Sequence, residues 1–307
     1  AKLVLELRSL TRKYYDFTDE RSAHINKLKG DLHTVFPQYL DVFCDVTGKT
    51  STMILRQYGT PDKILRGHKK TMIEKISKAS RKGLAKASER YEKLCAAANA
   101  AKTFGCQIDS IYFNIFLTLD LVEKLDSALD SILNRIRQLI TFNKNEKFIQ
   151  QIKLLNTIPG VGFLTAVTIM CEIGDFSAFR NPKQLFAYFG LDPEVNESGK
   201  FVGTQLHMSK RGSRIARRAI FAVALASIRT KRNGEGINPY LRKYYELKSG
   251  QKPKMVAIGA VMHKVCNIVF AVLRDEKAFE LRSPEEHCKQ YQRPALAAAY
   301  RCSYIKP

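Results

Sequence analysis

The chain has 307 residues, more than a usual single domain contains, so two or three packing units are expected. Apolar residues make up 45% of it and aromatic residues 10%, which suffices for hydrophobic cores and excludes an intrinsically disordered chain. Lys and Arg number 51 against 29 Asp and Glu, and the resulting net charge of +22 favours a polyanionic partner over a merely solvated basic surface.

Residues 1–105 are predicted to form a basic helical region. Apolar residues recur every three or four positions from Leu3 to Val35, which predicts one helix or two joined helices ending at Pro37. Residues 49–93 carry 13 Lys and Arg against 4 Asp and Glu, interrupted by short helical segments. This region is either a phosphate-facing surface or a solvated one.

Residues 106–144 are predicted to form a long coiled-coil helix. Apolar residues alternate spacings of four and three from Ile111 to Leu139, which is typical of the contact seam of a coiled coil. The seam can pack against a helix of the same chain, for example residues 89–103, or against a second protomer. We favour the second protomer.

Residues 145–283 are predicted to form a further domain that opens on a helix-hairpin-helix near 146–174. Its turn is I-P-G-V-G, in which Gly160 and Gly162 permit close approach of a phosphate to the backbone and to the next helix start. The alternative is an ordinary turn between two helices. A short helix follows within 181–193, and its aromatic residues are interpreted as core.

A polar, glycine-punctuated stretch over 194–213 supplies three candidate serines. Ser213 precedes a helix and is interpreted as its N-cap, while Ser209 is either a phosphate contact or a second cap. Ser198 lies in N-E-S-G-K, next to a predicted short hairpin at Phe201 and Val202. A serine that attacks phosphorus needs exposure, a base and nearby cations. The motif supplies exposure and cations, although Ser-Gly is also a common turn pair.

The strongest concentration of charge follows Ser198. Residues 200–254 carry 14 Lys and Arg against two Glu. This concentration predicts a nucleic-acid-binding surface. Its proposed members are Lys200, Lys210, Arg211, Arg214, Arg217 and Arg218, together with the turn glycines Gly160 and Gly162. Residues 237–249 and 253–274 are predicted helices, and residues 284–307 a peripheral tail.

Several other kinds of site are absent from the sequence pattern. The seven Cys are dispersed and predict reduced thiols, and no metal cluster, phosphate-binding loop or membrane span is recognised. His207 and His263 are interpreted as structural. These features predict a cytoplasmic, nucleoid-associated protein that binds no cofactor through this chain.

Five segments occur in an order that resembles the insertion-sequence one-ten family of transposases. They are L-L-N-T-I-P-G-V-G-F-L-T-A, F-R-N-P-K-Q-L-F-A-Y-F-G-L-D-P, N-E-S-G-K-F-V-G, M-S-K-R-G-S-R-I-A-R-R-A and K-V-C-N-I-V-F-A-V-L-R-D. A weaker likeness extends over nearly the whole chain. The resemblance implies a mostly α fold: a helical N-terminal region, a coiled coil, and a helical transposase domain with a β-like hairpin near its nucleophile.

The same resemblance implies an enzyme that cuts and rejoins DNA, guided by a structured RNA, in dimers or tetramers formed through the coiled coil. Ser198 corresponds to the family's nucleophilic serine. The family also carries a RuvC-like N-terminal domain whose acidic residues bind Mg²⁺, and no such domain is recognised in this sequence. We therefore expect this chain alone to bind nucleic acid without cutting it.

Two other classes of protein remain open from the residues alone. One is a non-catalytic nucleic-acid-binding protein built on the helix-hairpin-helix. The other is a coiled-coil scaffold, whose partner binding would survive 1 M salt because exposed charges are screened there.

Overall fold

The computed structural model describes residues 2–106, 108–144, 146–194, 197–198, 201–202, 207–283 and 285–286, with only the backbone of the four residues 197, 198, 201 and 202. Within these ranges the chain is mostly helical, which confirms the predicted fold class. The helices are α1 (Lys2–Val35), α2 (Tyr39–Val42), α3 (Lys49–Gln57), α4 (Pro61–Arg66), α5 (Lys69–Ser80), α6 (Leu84–Phe104), α7 (Asp109–Phe142), α8 (Lys147–Leu155), α9 (Phe163–Ile173), α10 (Pro182–Tyr188), α11 (Arg214–Ser227), α12 (Pro239–Ser249) and α13 (Lys254–Asp275).

The predicted hairpin is present, and it is short. Strand β1 (Glu197–Ser198) pairs antiparallel with β2 (Phe201–Val202), so that Ser198 stands opposite Phe201. The first helical segment is one continuous helix, α1, and it ends at Val35 just before Pro37. Proline disfavours helical geometry in the residue before it, which explains this end.

The chain forms two compact units. The inserted unit is Lys13–Arg135, and the composite unit joins Ala1–Arg12 to Ile136–Pro307. The sequence boundaries proposed at residues 105 and 144 do not mark these units. The first turns of α1 belong to the composite unit, although they are distant in sequence from the rest of it. Both α1 and α7 contribute residues to each unit.

The inserted unit has a core built from the second part of α1, the short helices and the first part of α7. Leu28, Leu94 and Ile115, from α1, α6 and α7, belong to one buried cluster. An ion pair between Arg21 and Asp126 also joins α1 to α7.

The predicted coiled-coil seam is covered within this unit. Ile115, Val122 and Leu129, at seam positions of α7, are all buried in the single chain. The expectation that a second protomer covers the seam is therefore corrected for this part of α7. The sequence pattern identifies an apolar stripe but cannot say what covers it, because residues distant in sequence, such as Leu28 of α1 and Leu94 of α6, lie in the same buried cluster as Ile115.

The composite unit is organised around α13. Helices α8, α10, α11 and α12 all pack against it, and α11 also packs against α9. By length and composition α13 could cross a membrane, although the sequence pattern alone did not indicate such a span. Its buried residues include Val261, Val265 and Val269, so that it serves as the core helix of this unit. A helix that is apolar nearly all round is expected in such a position.

Candidate nucleic-acid interface

The hairpin with Ser198 extends from a hydrogen-bonded base. Two chain segments, 188–194 and 207–212, form that base, and they pair antiparallel at Pro193 and Met208. The Glu194 amide donates to the His207 carbonyl at 2.7 Å, and the Ser209 amide donates to the Asp192 carbonyl at 2.8 Å. The Ser209 hydroxyl also lies 2.6 Å from a carboxylate oxygen of Asp192. This contact gives Ser209 a structural partner within the base.

Two glycines allow the arms of the base to touch. Gly190 has φ of +64°, which favours glycine, and a Cβ there would lie 2.5 Å from the Gly212 amide nitrogen. A Cβ on Gly212 would overlap the Tyr188 carbonyl oxygen. The backbones are therefore in direct contact, and no larger residue fits between them.

Arg217 holds both arms of the base. Its Nη1 donates to the carbonyl oxygens of Phe189 at 3.2 Å, Lys210 at 3.1 Å and Gly212 at 2.8 Å. The basic sequence of α11 predicted that Arg217 contacts nucleic acid, and that role remains a prediction. The structure adds a second role that no local pattern indicated.

The start of α11 presents the other predicted cations. Arg211 and Arg214 are exposed, Lys210 is exposed with φ of 55°, and Arg218 is half-buried one turn along from Arg214. The side chain of Ser198, and the whole of Lys200, fall outside the described residues. Only the backbone position of the proposed nucleophile is therefore established.

Ser213 has the capping role that its position predicted. Its hydroxyl accepts from the Ala216 amide at 3.1 Å and donates to the Glu172 carboxylate at 2.7 Å. The cap thus ties the start of α11 to the C-terminal turn of α9. The cap was predictable from sequence, whereas the bond to Glu172 was not.

Glu172 is a buried carboxylate at the centre of this region, with 2% of its surface exposed. Arg12 donates to both of its oxygens at 2.9 Å. Burial raises the pKa of Glu172, but hydrogen bonds from Arg12 and Ser213 outweigh it and bring the pKa below its usual value. The Tyr188 hydroxyl donates to the Glu172 carbonyl, and Arg8 donates to that of Cys171.

The two glycines of the predicted helix-hairpin-helix lie in different surroundings. Gly160 has φ of +98°, and a Cβ there would lie 2.5 Å from the Ser227 hydroxyl, so this part of the turn packs on α11. Gly162 is exposed at the N-cap of α9, with nothing within 4 Å of a Cβ. Only the Gly162 end has the open backbone that a phosphate contact needs, and DNA binding by this turn remains a prediction.

His263 and the candidate metal-ligating residues were also considered as functional groups. The ring of His263 packs edge-on against Phe186 at 4.7 Å, and burial lowers its pKa. No three His, Cys, Asp or Glu residues among those described are grouped in a way that could hold a metal ion. The Mg²⁺ implied by the resemblance therefore has no fitting ligand set there, and no reaction step on this chain is assigned to it.

Residues 152–246, which contain the hairpin and the basic start of α11, match the Transposase IS116/IS110/IS902 family. This part of the chain is therefore similar to that family of transposases, as its motifs predicted.

Three relatives illustrate the similarity. An insertion element IS110 uncharacterized 43.6 kDa protein from Streptomyces coelicolor is 23% identical over 286 residues, which cover 92% of this chain and 66% of that protein. The pilin gene-inverting protein of Moraxella bovis is 30% identical over 177 residues, covering 57% and 52%. The transposase for insertion sequence element IS1111A from Coxiella burnetii is 26% identical over 188 residues, covering 59% and 50%. The chain thus spans between half and two thirds of the length of these relatives.

Proposed function

We propose that this chain takes part in cutting and rejoining DNA for the mobility of an insertion sequence, with Ser198 as the nucleophile. The match of residues 152–246 to a family of transposases carries the proposal. The names of two relatives, a transposase and a gene-inverting protein, describe DNA rearrangement and support it.

The proposed chemistry is a transesterification at a DNA phosphate. The Ser198 hydroxyl loses its proton to solvent and forms an O–P bond, while the bond from phosphorus to the leaving sugar oxygen breaks and that oxygen takes up a proton from solvent. The result is a phosphoserine link to DNA. Cations near the developing phosphate charge lower the barrier, and Arg214 at the start of α11 suits that role.

The test is the covalent adduct between protein and DNA. The chain is combined with the RuvC-like acidic domain, in cis or in trans, and incubated with end-labelled DNA carrying the element's ends. Denaturing electrophoresis should show a labelled protein band that Ser198→Ala removes. Ser249→Ala, at the end of α12, is the matched control and should keep it. An adduct that persists in Ser198→Ala contradicts the proposal.

A structured guide RNA is the second part of the proposal. It rests on the resemblance and on the excess of positive charge, since charge alone does not distinguish RNA from DNA. Digestion of copurifying RNA should abolish the adduct, and RNA transcribed from the same element should restore it. Unchanged adduct formation after digestion would rule the guide out.

The alternative, a non-catalytic nucleic-acid-binding protein, is favoured by the charge concentrated around α11. It predicts salt-dependent binding of DNA with no covalent band under any condition. The adduct assay therefore separates the two functions directly.

Association of protomers is also proposed, through a different face of α7 from the covered seam. Phe113, Leu117 and Leu121 are spaced four residues apart and are exposed large apolar side chains. If protomers associate through this stripe, Leu117→Glu should yield monomers by light scattering. A wild-type chain that is itself monomeric at high concentration would contradict this part of the proposal.

A further inference from the structure

A cleft of about 370 Å³ lies within the composite unit. The start of α1, the end of α9, the end of α10 and the segment before α11 form its walls. Its lining includes Arg8, Arg12, Glu172, Tyr188, Arg211 and Ser213. Pockets for small ligands span about 300–1,000 Å³, so this cleft has room for a phosphodiester and part of its sugars rather than for a duplex.

The cleft carries more positive than negative charge. Among the residues that the structure describes, three arginines line it and Glu172 is the one carboxylate in its lining. Arg12 and Glu172 neutralise each other through their paired contacts at 2.9 Å. The charges of Arg8 and Arg211 remain, so the cleft has an excess of about two positive charges.

These two arginines are available to a ligand. The Nε of Arg8 donates to the Cys171 carbonyl at 2.7 Å, an acceptor without net charge, and this bond orients the guanidinium. Within the described part of the chain, neither Arg8 nor Arg211 forms an ion pair. A guanidinium presents several N–H donors in one plane, a geometry that matches phosphate oxygens.

The N-terminus of α11 also favours an anion in the cleft. Ser213 lines the cleft and caps this 14-residue helix, so its positive end is directed to the same region. The first amides of a helix have no partner inside it, and the helix dipole favours an anion there.

We propose that this cleft binds a backbone phosphate of a nucleic-acid strand, with Arg8 and Arg211 as the binding residues and the Arg12–Glu172 pair as their support. The choice of a nucleic acid as ligand rests on the proposed function. Arg211 directly follows Lys210, whose amide donates to the Gly190 carbonyl in the hairpin base. Glu194, at the top of that base, is four residues from Ser198, a span of at most about 14 Å.

The cleft therefore holds a phosphate that is not itself cut. A strand fixed there passes the base of the hairpin, which lowers the entropy cost of placing a neighbouring phosphate near Ser198. Arg8 and Arg211 position the strand, and Ser198 carries the chemistry.

The first test uses inorganic phosphate as the probe. Thermal unfolding is followed while phosphate replaces chloride at constant ionic strength. The wild-type midpoint should rise, because a ligand that binds only the folded state stabilises it. Arg211→Gln should lose most of that rise, and Arg8→Lys, which keeps the charge, should retain part of it. Arg135→Gln, an exposed arginine of α7 in the inserted unit, should respond as the wild type does.

The second test uses single-stranded DNA and RNA of the same sequence, with affinity measured across salt concentrations. Arg211→Gln should weaken binding about tenfold. It should also make the slope of log affinity against log salt concentration shallower by about 0.7, the value for one phosphate contact on a single strand. A weaker affinity for DNA alone, for RNA alone or for both identifies the source of the phosphate. Arg135→Gln should leave both affinities unchanged.

Equal phosphate responses in wild type and Arg211→Gln would overturn the cleft proposal, even if the Ser198 adduct forms. A response that depends on Arg211 supports the cleft, even if no adduct forms. The two proposals can therefore fail separately.

Discussion

At the scale of single residues, Glu172 is a buried carboxylate of the composite unit that depends on its hydrogen-bond partners. It is buried, it accepts from Arg12 and Ser213, and its own carbonyl accepts from Tyr188. A buried carboxylate is tolerated only when such partners replace water. Glu172 thus connects α1, α9, α10 and the start of α11, which are the elements around the hairpin base.

Glu172→Gln should destabilise the composite unit by about 2 kcal/mol at neutral pH, because hydrogen bonds to a charged group are worth about 1.5–3 kcal/mol. The pKa of Glu172 is lowered in the folded chain, so the unfolded chain binds the proton first as pH falls. The stabilisation is present at neutral pH and disappears as acid protonates Glu172. Urea unfolding at a series of pH values measures the difference.

In Glu246→Gln, the control, an exposed ion pair with Arg242 is removed and little change is expected. A difference between wild type and Glu172→Gln that is equally large in strong acid would show that shape, rather than charge, explains the effect.

At the scale of elements, the hairpin base depends on glycine contacts and on one arginine. Gly190 and Gly212 let the two arms touch, and Arg217 donates to carbonyls on both arms. A two-residue strand pair has little stability of its own. The direction in which the hairpin leaves the domain is therefore determined by its base.

Gly190→Ala should destabilise the composite unit by at least about 2 kcal/mol, since a methyl group would meet backbone and the residue would keep a positive φ. Gly259→Ala provides the opposite case within α13, where nothing lies within 4 Å of a Cβ. It should stabilise by about 0.5–1 kcal/mol, because alanine is the better helix former. The denaturant midpoints of the two variants measure these changes in stability. Equal changes in the two variants would refute the argument from close backbone contact at Gly190.

The basic start of α11 gives a separate prediction. Arg214→Gln with Arg218→Gln should weaken DNA binding for all sequences, because backbone phosphates are the same at every position. On duplex DNA, the slope of log affinity against log salt concentration should become shallower by about 0.9 for each phosphate that the variant no longer neutralises. Arg217 is left intact in this variant, because removing it would also loosen the hairpin base. Weaker binding confined to one DNA sequence, with an unchanged salt slope, would contradict binding to the phosphate backbone.

At the scale of the whole molecule, segments that are distant in sequence combine to form each unit. The first turns of α1 belong to the composite unit, and later residues of α1 share a buried cluster with residues of α7 in the inserted unit. The seam of α7 within the inserted unit is consequently an internal contact of one chain. Its stability should then be independent of other protomers.

Leu129→Ala should destabilise the inserted unit by about 2–5 kcal/mol, the usual cost of removing a buried leucine side chain. The thermal midpoint should depend on protein concentration to the same extent in wild type and variant, because the seam closes within the chain and association is proposed through another face of α7. Scanning calorimetry over a wide range of concentrations measures this. Midpoints that rise with concentration in the wild type and not in Leu129→Ala would show that the seam joins protomers.

The sequence by itself determined what short-range signals encode. Apolar periodicity placed the long helices, Pro37 marked the end of α1, and Ser213 marked the start of α11. Glycine and polar residues located the hairpin, and charge identified α11 as basic. Each signal lies within a few residues of its consequence, because helix caps and turns are local interactions.

Only the tertiary structure decided which distant residues meet. Arg12 and Glu172 are 160 positions apart, and no local pattern in either segment indicates their pairing. The apolar spacing of α7 likewise predicted a buried stripe but not the residues that bury it. The sequence around Arg217 did not distinguish it from a surface cation of a basic helix. A stripe or a charge limits the kind of partner it can have, whereas the path of the chain selects the partner, because many distant segments satisfy the same local pattern.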